Sequence, residues 1–404
     1  MLTLEAKAEL EKQHYRIIGS HSAVKTCGWT KNMINGEGGC YKLKFYGIMS
    51  NQCMQMTTSI SCANRCTFCW RGYKAPVSKE WKWEVDDPKM ILDESLKAHH
   101  KLLIGFGGSD KAIKKSYENS KEVKHVALSL TGEPITYPKM NELIEGFHGR
   151  GISTFLVTNS QYPEHIKNLK PITQLYCSVD APTKELLKEV DKPLFLDYWE
   201  RMIASLRYLS LKKQRTCVRL TMIKGINDVM PEKYAELIEL SGSDFIEVKA
   251  YMHVGPSQDR LSKVNMPMHE EVVAFSKTLL SYLPEYSIVS EHIPSRVVMF
   301  AKNSYKKEDG WYTWIDFPKF ATLALSGREF TSEEYLKKTP QTGLSGKGSI
   351  ERAQEFVEKL RKAGKLKVRV AKVEEVVVGA DTVDVASVFV DEKTDELSFY
   401  GEEK

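Results

Sequence analysis

Apolar and polar residues alternate along the chain with two periods. From about residue 53 to residue 300, short β-rich apolar runs fall at 53–59, 125–131, 152–158, 172–179, 215–222, 245–252 and 286–292. Between most of them lie stretches with an apolar residue every three or four positions, among them 140–148, 198–211, 232–240 and 270–283. Strands alternating with amphipathic helices at this spacing imply βαβ units and a parallel sheet. About six such units suffice to close part of a barrel, and in barrels of this kind chemistry sits at the carboxyl ends of the strands. The pattern changes after about Pro340. A Gly/Ser-rich stretch resembles a flexible linker, followed by a helix-like segment at 349–363 and β-rich runs at 365–378 and 382–390. The expectation is an α/β protein with an N-terminal segment at 1–52, a partial (βα)6-type barrel at 53–325, and a linker with a small α+β C-terminal appendage at 326–404.

Composition narrows the class. Of 404 residues, 42% are hydrophobic and 27% charged, enough for a sizeable core. No apolar run is long enough to span a bilayer, and the charged N-terminus carries no signal-peptide core, so a cytoplasmic protein without membrane partners is expected. Net charge is +5. Residues 347–404 hold 11 basic and 13 acidic side chains, a net of −2, which leaves +7 on residues 1–346. A mildly basic body is compatible with a polyanion such as RNA and does not by itself require one.

Cysteine placement is more specific. Six of the eight cysteines lie between Cys27 and Cys69. In a reducing compartment such a cluster reads as metal binding or redox chemistry. Cys62, Cys66 and Cys69 form CxxxCxxC on a loop after the first strand. A four-iron cubane takes cysteine thiolates, and three on one loop leave one iron open. Zinc prefers four ligands, usually in CxxC pairs, and fits this spacing poorly. Cys27, Cys40 and Cys53 recur at intervals of 13 residues. Cys27 and Cys40 sit in glycine-containing loops and Cys53 at the start of the first strand, which favours a second three-thiolate cluster over buried packing thiols.

CxxxCxxC followed by βα units resembles the radical S-adenosylmethionine superfamily. That resemblance implies that the open iron chelates S-adenosylmethionine. It also makes Thr131, Gly132 and Glu133, then Asn159, flanked by Thr158 and Ser160, then Ser178 and Asp180, contacts to its methionine and ribose portions. Here Thr131 replaces the first glycine of the family's GGE-type segment. The evenly spaced upstream triplet with CxxxCxxCWRG resembles the archaeal-type tRNA 4-demethylwyosine synthases from about Cys27 to Phe320, with His125–Pro134, Leu156–Pro163, Ser178–Pro182 and Pro294–Val298 in support. The family implies a lyase of the wyosine pathway that condenses N1-methylguanosine, at position 37 of phenylalanine tRNA, with pyruvate.

The cofactors so implied are two [4Fe-4S] clusters and S-adenosylmethionine. A 5′-deoxyadenosyl radical takes hydrogen from the base methyl group, the resulting radical adds to pyruvate, the carboxyl fragment is lost and the ring closes. The Cys27/Cys40/Cys53 cluster is expected to chelate pyruvate. Lys42 matches the family lysine that forms a Schiff base with its carbonyl, with Lys44 a competing candidate. The flavodoxin-like domain fused in eukaryotic relatives is absent from these 404 residues, so a separate flavodoxin- or ferredoxin-like donor is expected, with the enzyme a monomer.

The tRNA base must be extruded to reach the radical. The aromatic and basic stretches 70–74, 79–83 and 311–314 near Lys319 are candidate contacts, with core packing the competing explanation. His253 is a candidate outer-layer residue, and Gly105–Gly108 reads as a helix terminator. The alternatives are a radical enzyme acting on a peptide or small molecule, with the second cluster as an electron relay, and a zinc-stabilised RNA-binding module.

Overall fold

The structure, a computed structural model, describes residues 4–72 and 75–345, together with the backbone of two short strands, Val368–Val370 and Val388–Val390. The chain divides into two units, Met1–Ser345 and Gly346–Lys404. In the second unit the two short strands pair antiparallel, Val368 opposite Val390. The helix expected at 349–363 lies outside the described residues, as does the rest of both expected β-rich runs.

Ten strands build the sheet of the first unit: β1 (Arg16–Ile18), β2 (Ser22–Lys25), β3 (Cys53–Thr57), β4 (His125–Leu128), β5 (Ser153–Thr158), β6 (Gln174–Ser178), β7 (Arg215–Met222), β8 (Phe245–Ala250), β9 (Tyr286–His292) and β10 (Val297–Lys302). Their order is β1-β2-β3-β4-β5-β6-β7-β8-β10-β9. From β3 to β8 every neighbour is parallel, so the expected six-stranded parallel core is present. An antiparallel pair extends it at each edge. The last expected strand, β9, does not sit beside β8: β10 intervenes. Only residues 293–296 join β9 to β10, too few for a parallel crossover, so the chain reverses as a hairpin.

Side chains alternate across each strand, which divides the core in two. Outward residues such as Val126, Leu156, Leu175, Val218 and Ile246 pack under the surrounding helices, for example against Leu143 and Phe147 of Met140–His148 and Leu206 of Tyr198–Ser210. Inward residues Phe155, Tyr176, Cys217, Phe245 and Met299 form a separate cluster with Tyr41, Phe45 and Tyr46 of the helix Tyr41–Tyr46. The segment upstream of β3 therefore plugs the barrel from inside. Burying a side chain such as Phe45, 0% exposed, contributes about 2–3 kcal/mol.

The first unit extends past the boundary expected at 325/326. Trp314–Ile315 pairs with Leu336–Lys337. The buried Tyr335 hydroxyl accepts the Arg215 N–H at 3.0 Å and donates to the Thr173 carbonyl at 3.1 Å, while Ser345 N–H reaches Val289 O at 3.0 Å. Residues 326–345 thus pack on the barrel rather than acting as a linker. Among the described residues no helix is long and apolar enough to cross a membrane.

Candidate active site

The loop carrying Cys62, Cys66 and Cys69 follows β3, the first parallel strand, and is tied down through its backbone. The N–H of Arg65 donates to Asp191 O at 3.0 Å, that of Thr67 to Val190 O at 2.8 Å, and the Ala63 carbonyl accepts from Leu194 N at 2.8 Å. The first two bonds use carbonyls at the end of the helix Lys184–Asp191, which have no partners within the helix. Two arginines complete the frame. Arg71 donates to the carbonyls of Ile60 and Pro76, each at 3.0 Å, and of Asn64 at 3.2 Å. Arg260 reaches across from beyond β8 to Thr67 O at 2.9 Å and to Cys69 O. Arg71 and Arg260 also line a small recess together with Arg65, Cys66 and Cys69.

The thiols sit in surroundings that disfavour their free ionisation. Burial pushes Cys62 up to about 12, against the opposing pull of Arg71, and lifts Cys66 well above its ordinary value with help from Asp191. A thiol of this kind becomes a thiolate when a metal replaces its proton, which fits a metal-bound role. Among the described residues no three His, Cys, Asp or Glu side chains converge tightly enough for one ion. Thiolates on a cubane each take a different iron, so they need not converge on one point.

The strand-end residues expected from sequence surround this loop. Gly132, after β4, has φ +69°, and a Cβ there would stand 1.9 Å from the Ser59 carbonyl oxygen. Only glycine lets the turn press this closely against the backbone leading to Cys62. Thr131 beside it is buried and bonds the Tyr15 hydroxyl. Glu133 is buried, donates its N–H to Ser61 O at 2.8 Å and accepts the Asn159 N–H on Oε2 at 2.9 Å. Its Oε1 is buried without a partner. Burial raises this carboxyl to about 7, with the Asn159 N–H, Thr158 and Arg71 opposing. A buried acceptor left open beside the cysteine loop is suited to a cationic amine.

Asn159 turns its side-chain amide to the Cys62 sulfur at 3.4 Å, and Ser160 bonds the Ser178 carbonyl at 2.9 Å. Asp180 accepts the Thr221 N–H at 3.0 Å and is raised by burial to about 6. The expected residues after β4, β5 and β6 therefore gather on one side of the cysteine loop. Sequence reading missed Asp191, whose carboxylate bonds Asn64 at 3.2 Å behind Cys66, and Arg260, which acts on backbone carbonyls and leaves no sequence pattern; Arg71, singled out from sequence within a candidate tRNA contact, frames the loop.

Cys27 caps the helix Gly28–Ile34, Cys40 caps Tyr41–Tyr46, and Cys53 begins β3. Burial pushes Cys40 and Cys53 each up to about 12; the Cys27 charge adds to both rises and the Lys42 charge opposes both. The structure thus brings these three thiols and Lys42 within electrostatic reach of one another. Lys42 Nζ lies 4.5 Å from the Tyr176 ring centroid and 5.9 Å from that of Phe155, inside the barrel. Residues two apart on a helix are about 200° apart, and Lys44 faces away, its charge acting on His292 instead.

The remaining candidates divide. Trp81 packs edge-on against His21 at 4.6 Å and bonds Trp83 O at 2.8 Å, and Trp314 bonds Lys44 O at 3.0 Å. Both are packing residues, which removes them as free stacking platforms for a base. Trp70 stacks on Tyr15, with Lys25 over both rings, while residues 73 and 74 of the same stretch lie outside the described residues. His253 bonds the Tyr251 hydroxyl at 3.0 Å. Gly105–Gly108 falls in the 3-10 turn that ends the helix Pro88–Leu103.

Comparison with known proteins agrees with this geometry. Residues 56–238 match the radical SAM superfamily, and residues 240–302 match the wyosine base formation family. The tRNA 4-demethylwyosine synthase TYW1 of Mus musculus is 46% identical over 353 residues, 86% of this chain and 49% of the mouse protein. Its Arabidopsis thaliana counterpart is 47% identical, across 86% of this chain and 54% of the plant protein. The chain therefore spans about half the length of the curated relatives it matches. A solved structure of TYW1 with a lysine–pyruvate adduct bound superposes with a TM-score of 0.69 at 36% identity, covering 77% of this chain and 99% of that one. Archaeal TYW1 gives 0.63 at 32% identity, covering 78% of this chain and all of the other. With nearly the whole of these two proteins matched in sequence and in fold, the chain belongs to the TYW1 family of radical SAM tRNA 4-demethylwyosine synthases.

Proposed function

We propose that the chain forms the tricyclic 4-demethylwyosine base by condensing N1-methylguanosine, at position 37 of phenylalanine tRNA, with pyruvate. The observation that carries the reading is the pairing of two three-thiol groups at one barrel, with the Lys42 amine beside the second and over Tyr176. A bound lysine–pyruvate adduct in a related TYW1 structure supports it.

Cys62, Cys66 and Cys69 would hold one [4Fe-4S] cluster, and Cys27, Cys40 and Cys53 the other. When bound, the first cluster and S-adenosylmethionine supply the electron and the adenosyl radical that starts the reaction. Glu133 Oε1, buried and unpartnered, would receive the methionine ammonium, with Thr131 and Gly132 beside it and Asn159, Ser178 and Asp180 completing that side. Lys42 holds pyruvate through its carbonyl, next to the second group of thiols. The aromatic plug below Lys42 keeps bulk water from the lower barrel, and the mouth above admits the extruded base. We place the enzyme in the cytosol, as an archaeal-type monomer served by a separate flavodoxin- or ferredoxin-like donor.

The test is direct. Anaerobic, cluster-loaded enzyme is reduced and mixed with N1-methylguanosine-containing tRNA, pyruvate and S-adenosylmethionine, and nucleosides are read by mass spectrometry. The tricyclic base is expected only when pyruvate is present. Adenosyl cleavage without that base would overturn the assignment.

A further inference from the structure

A strap outside the parallel core lies against the loop of Cys62, Cys66 and Cys69. It runs over residues 251–268, from the end of β8 to the helix His269–Leu280. This stretch falls in the region that matches the wyosine base formation family, not in the radical SAM region. Hydrogen bonds fix its shape. The buried Tyr251 hydroxyl donates to Ser257 Oγ at 3.0 Å, and the Ser257 hydroxyl donates to Val254 O at 2.6 Å. Asn265 accepts the Ser262 N–H on its side chain at 3.0 Å. Its backbone carbonyl accepts the Lys224 N–H at 2.9 Å, which fastens the strap to the turn after β7.

Three contacts join the strap to the cysteine loop. Gly255, at φ +59°, comes so near the backbone of Trp70 that a Cβ would stand 2.9 Å from its carbonyl oxygen. Leu261 is buried in a small apolar cluster against which Phe68 packs, the residue just before Cys69. Arg260 gives its Nε to Thr67 O at 2.9 Å and a terminal nitrogen to Cys69 O, with Arg71 O at 3.4 Å. One guanidinium thus bridges the backbone on both sides of Phe68, a grip that depends on its planar fork and that an ammonium does not reproduce.

This grip also places charge. Asp191 and Asp180 bring negative charge toward Cys66, while the Arg71 charge acts on Cys62. Arg260 adds a positive charge at Cys69 and lines one recess with Cys66 and Cys69. A guanidinium keeps its charge at every working pH. The potential of an iron–sulfur cluster follows the net charge and hydrogen bonding around its sulfurs, and a fixed cation nearby favours the form that carries one more electron.

We propose that Arg260 is a positioning residue through which the strap sets the reduction potential of the Cys62/Cys66/Cys69 cluster. Its fork holds the loop, and its charge at Cys69 favours the reduced form. The inference rests on the first-cluster reading above. The step concerned moves one electron from a reduced one-electron donor to the cluster, with no bond made or broken at Arg260.

A redox titration of the full, cluster-loaded chain tests this, with dithionite as reductant and electron paramagnetic resonance as readout. The first cluster is the component whose signal changes when S-adenosylmethionine is added. In R260M its reduced-to-oxidised ratio at a fixed potential should fall about 10-fold, which is a midpoint about 59 mV lower for one electron. The second cluster serves as the internal control, and its midpoint should not follow. R260K, which keeps the charge and loses the fork, should lie between R260M and wild type. A purely structural role would lower iron content and leave the midpoint of the remaining cluster unchanged.

Iron content and Tm identify variants that fail to assemble. If R260M fails, R260Q, also uncharged, takes its place. If both fail, R260K decides: a fall of about 2- to 10-fold upholds the proposal, and an unchanged ratio or a larger fall overturns it. An R260M that keeps both its iron and its midpoint overturns this inference alone. A wild type without a cluster that responds to S-adenosylmethionine overturns both it and the first-cluster reading.

Discussion

Replacing Glu133 with glutamine removes one charge from a buried site and little else. Burial raises this carboxyl from its ordinary 4.5 to about 7, which corresponds to about 3 kcal/mol against the ionised form. The folded value lies above the unfolded one. Across that window the folded apoprotein therefore holds a proton that the unfolded chain has released, and stability falls as pH rises through it. A cationic amine seated against the unpartnered Oε1 favours the carboxylate, so binding in this window releases the proton. The affinity of cluster-loaded protein for S-adenosylmethionine should then rise by up to about tenfold per pH unit toward about pH 7 and level off above it. In E133Q the pH step should vanish, and the plateau affinity should drop about 10- to 100-fold, the loss of a charge-assisted hydrogen bond worth about 1.5–3 kcal/mol. Anaerobic calorimetric titrations from about pH 6 to about pH 8 measure both quantities. A wild type whose affinity ignores pH over that range, or an E133Q that keeps the same step, refutes the reasoning.

Three further outcomes follow from particular contacts. G132A places a methyl group on the Ser59 carbonyl at a left-handed position; it should cost about 1–2 kcal/mol from conformation alone and more from the clash, read as a lower Tm together with reduced iron retention at Cys62. K42A should assemble both clusters and still cleave S-adenosylmethionine while yielding no tricyclic base, and normal product would remove Lys42 from the chemistry. Y335F deletes a hydroxyl that serves both Arg215 and Thr173; a loss of about 1–3 kcal/mol by denaturant titration is expected if residues 326–345 belong to the barrel, and no loss is expected if they are a linker.

The parallel core was legible because six buried strands alternate with amphipathic helices, a signal that does not depend on distant contacts. The hairpin of β9 and β10 was less so: its strands are apolar like the rest, and only the shortness of the joining turn distinguishes a reversal from a crossover. β1 and β2, three and four residues long, are too short to show a period. Residues 326–345 lack a periodic pattern of their own and take their structure from Arg215, Thr173 and β9.

In the site, all six clustered cysteines and the glycine of the β4 turn stood out by spacing. Asp191 and Arg260 did not, because each lies far from the cysteine loop along the chain and meets it only through the fold. Trp81 and Trp314 show the opposite case, aromatic residues beside lysines that pack inward for structural reasons.

The account depends above all on six cysteines holding two separate clusters. Iron and acid-labile sulfide in the anaerobically reconstituted protein test it, measured on wild type and on one variant for each triplet, with all three cysteines changed to alanine. About eight irons per wild-type chain and about four in each variant are expected. A wild type that saturates at about four irons, or that binds zinc and stays colourless, contradicts it.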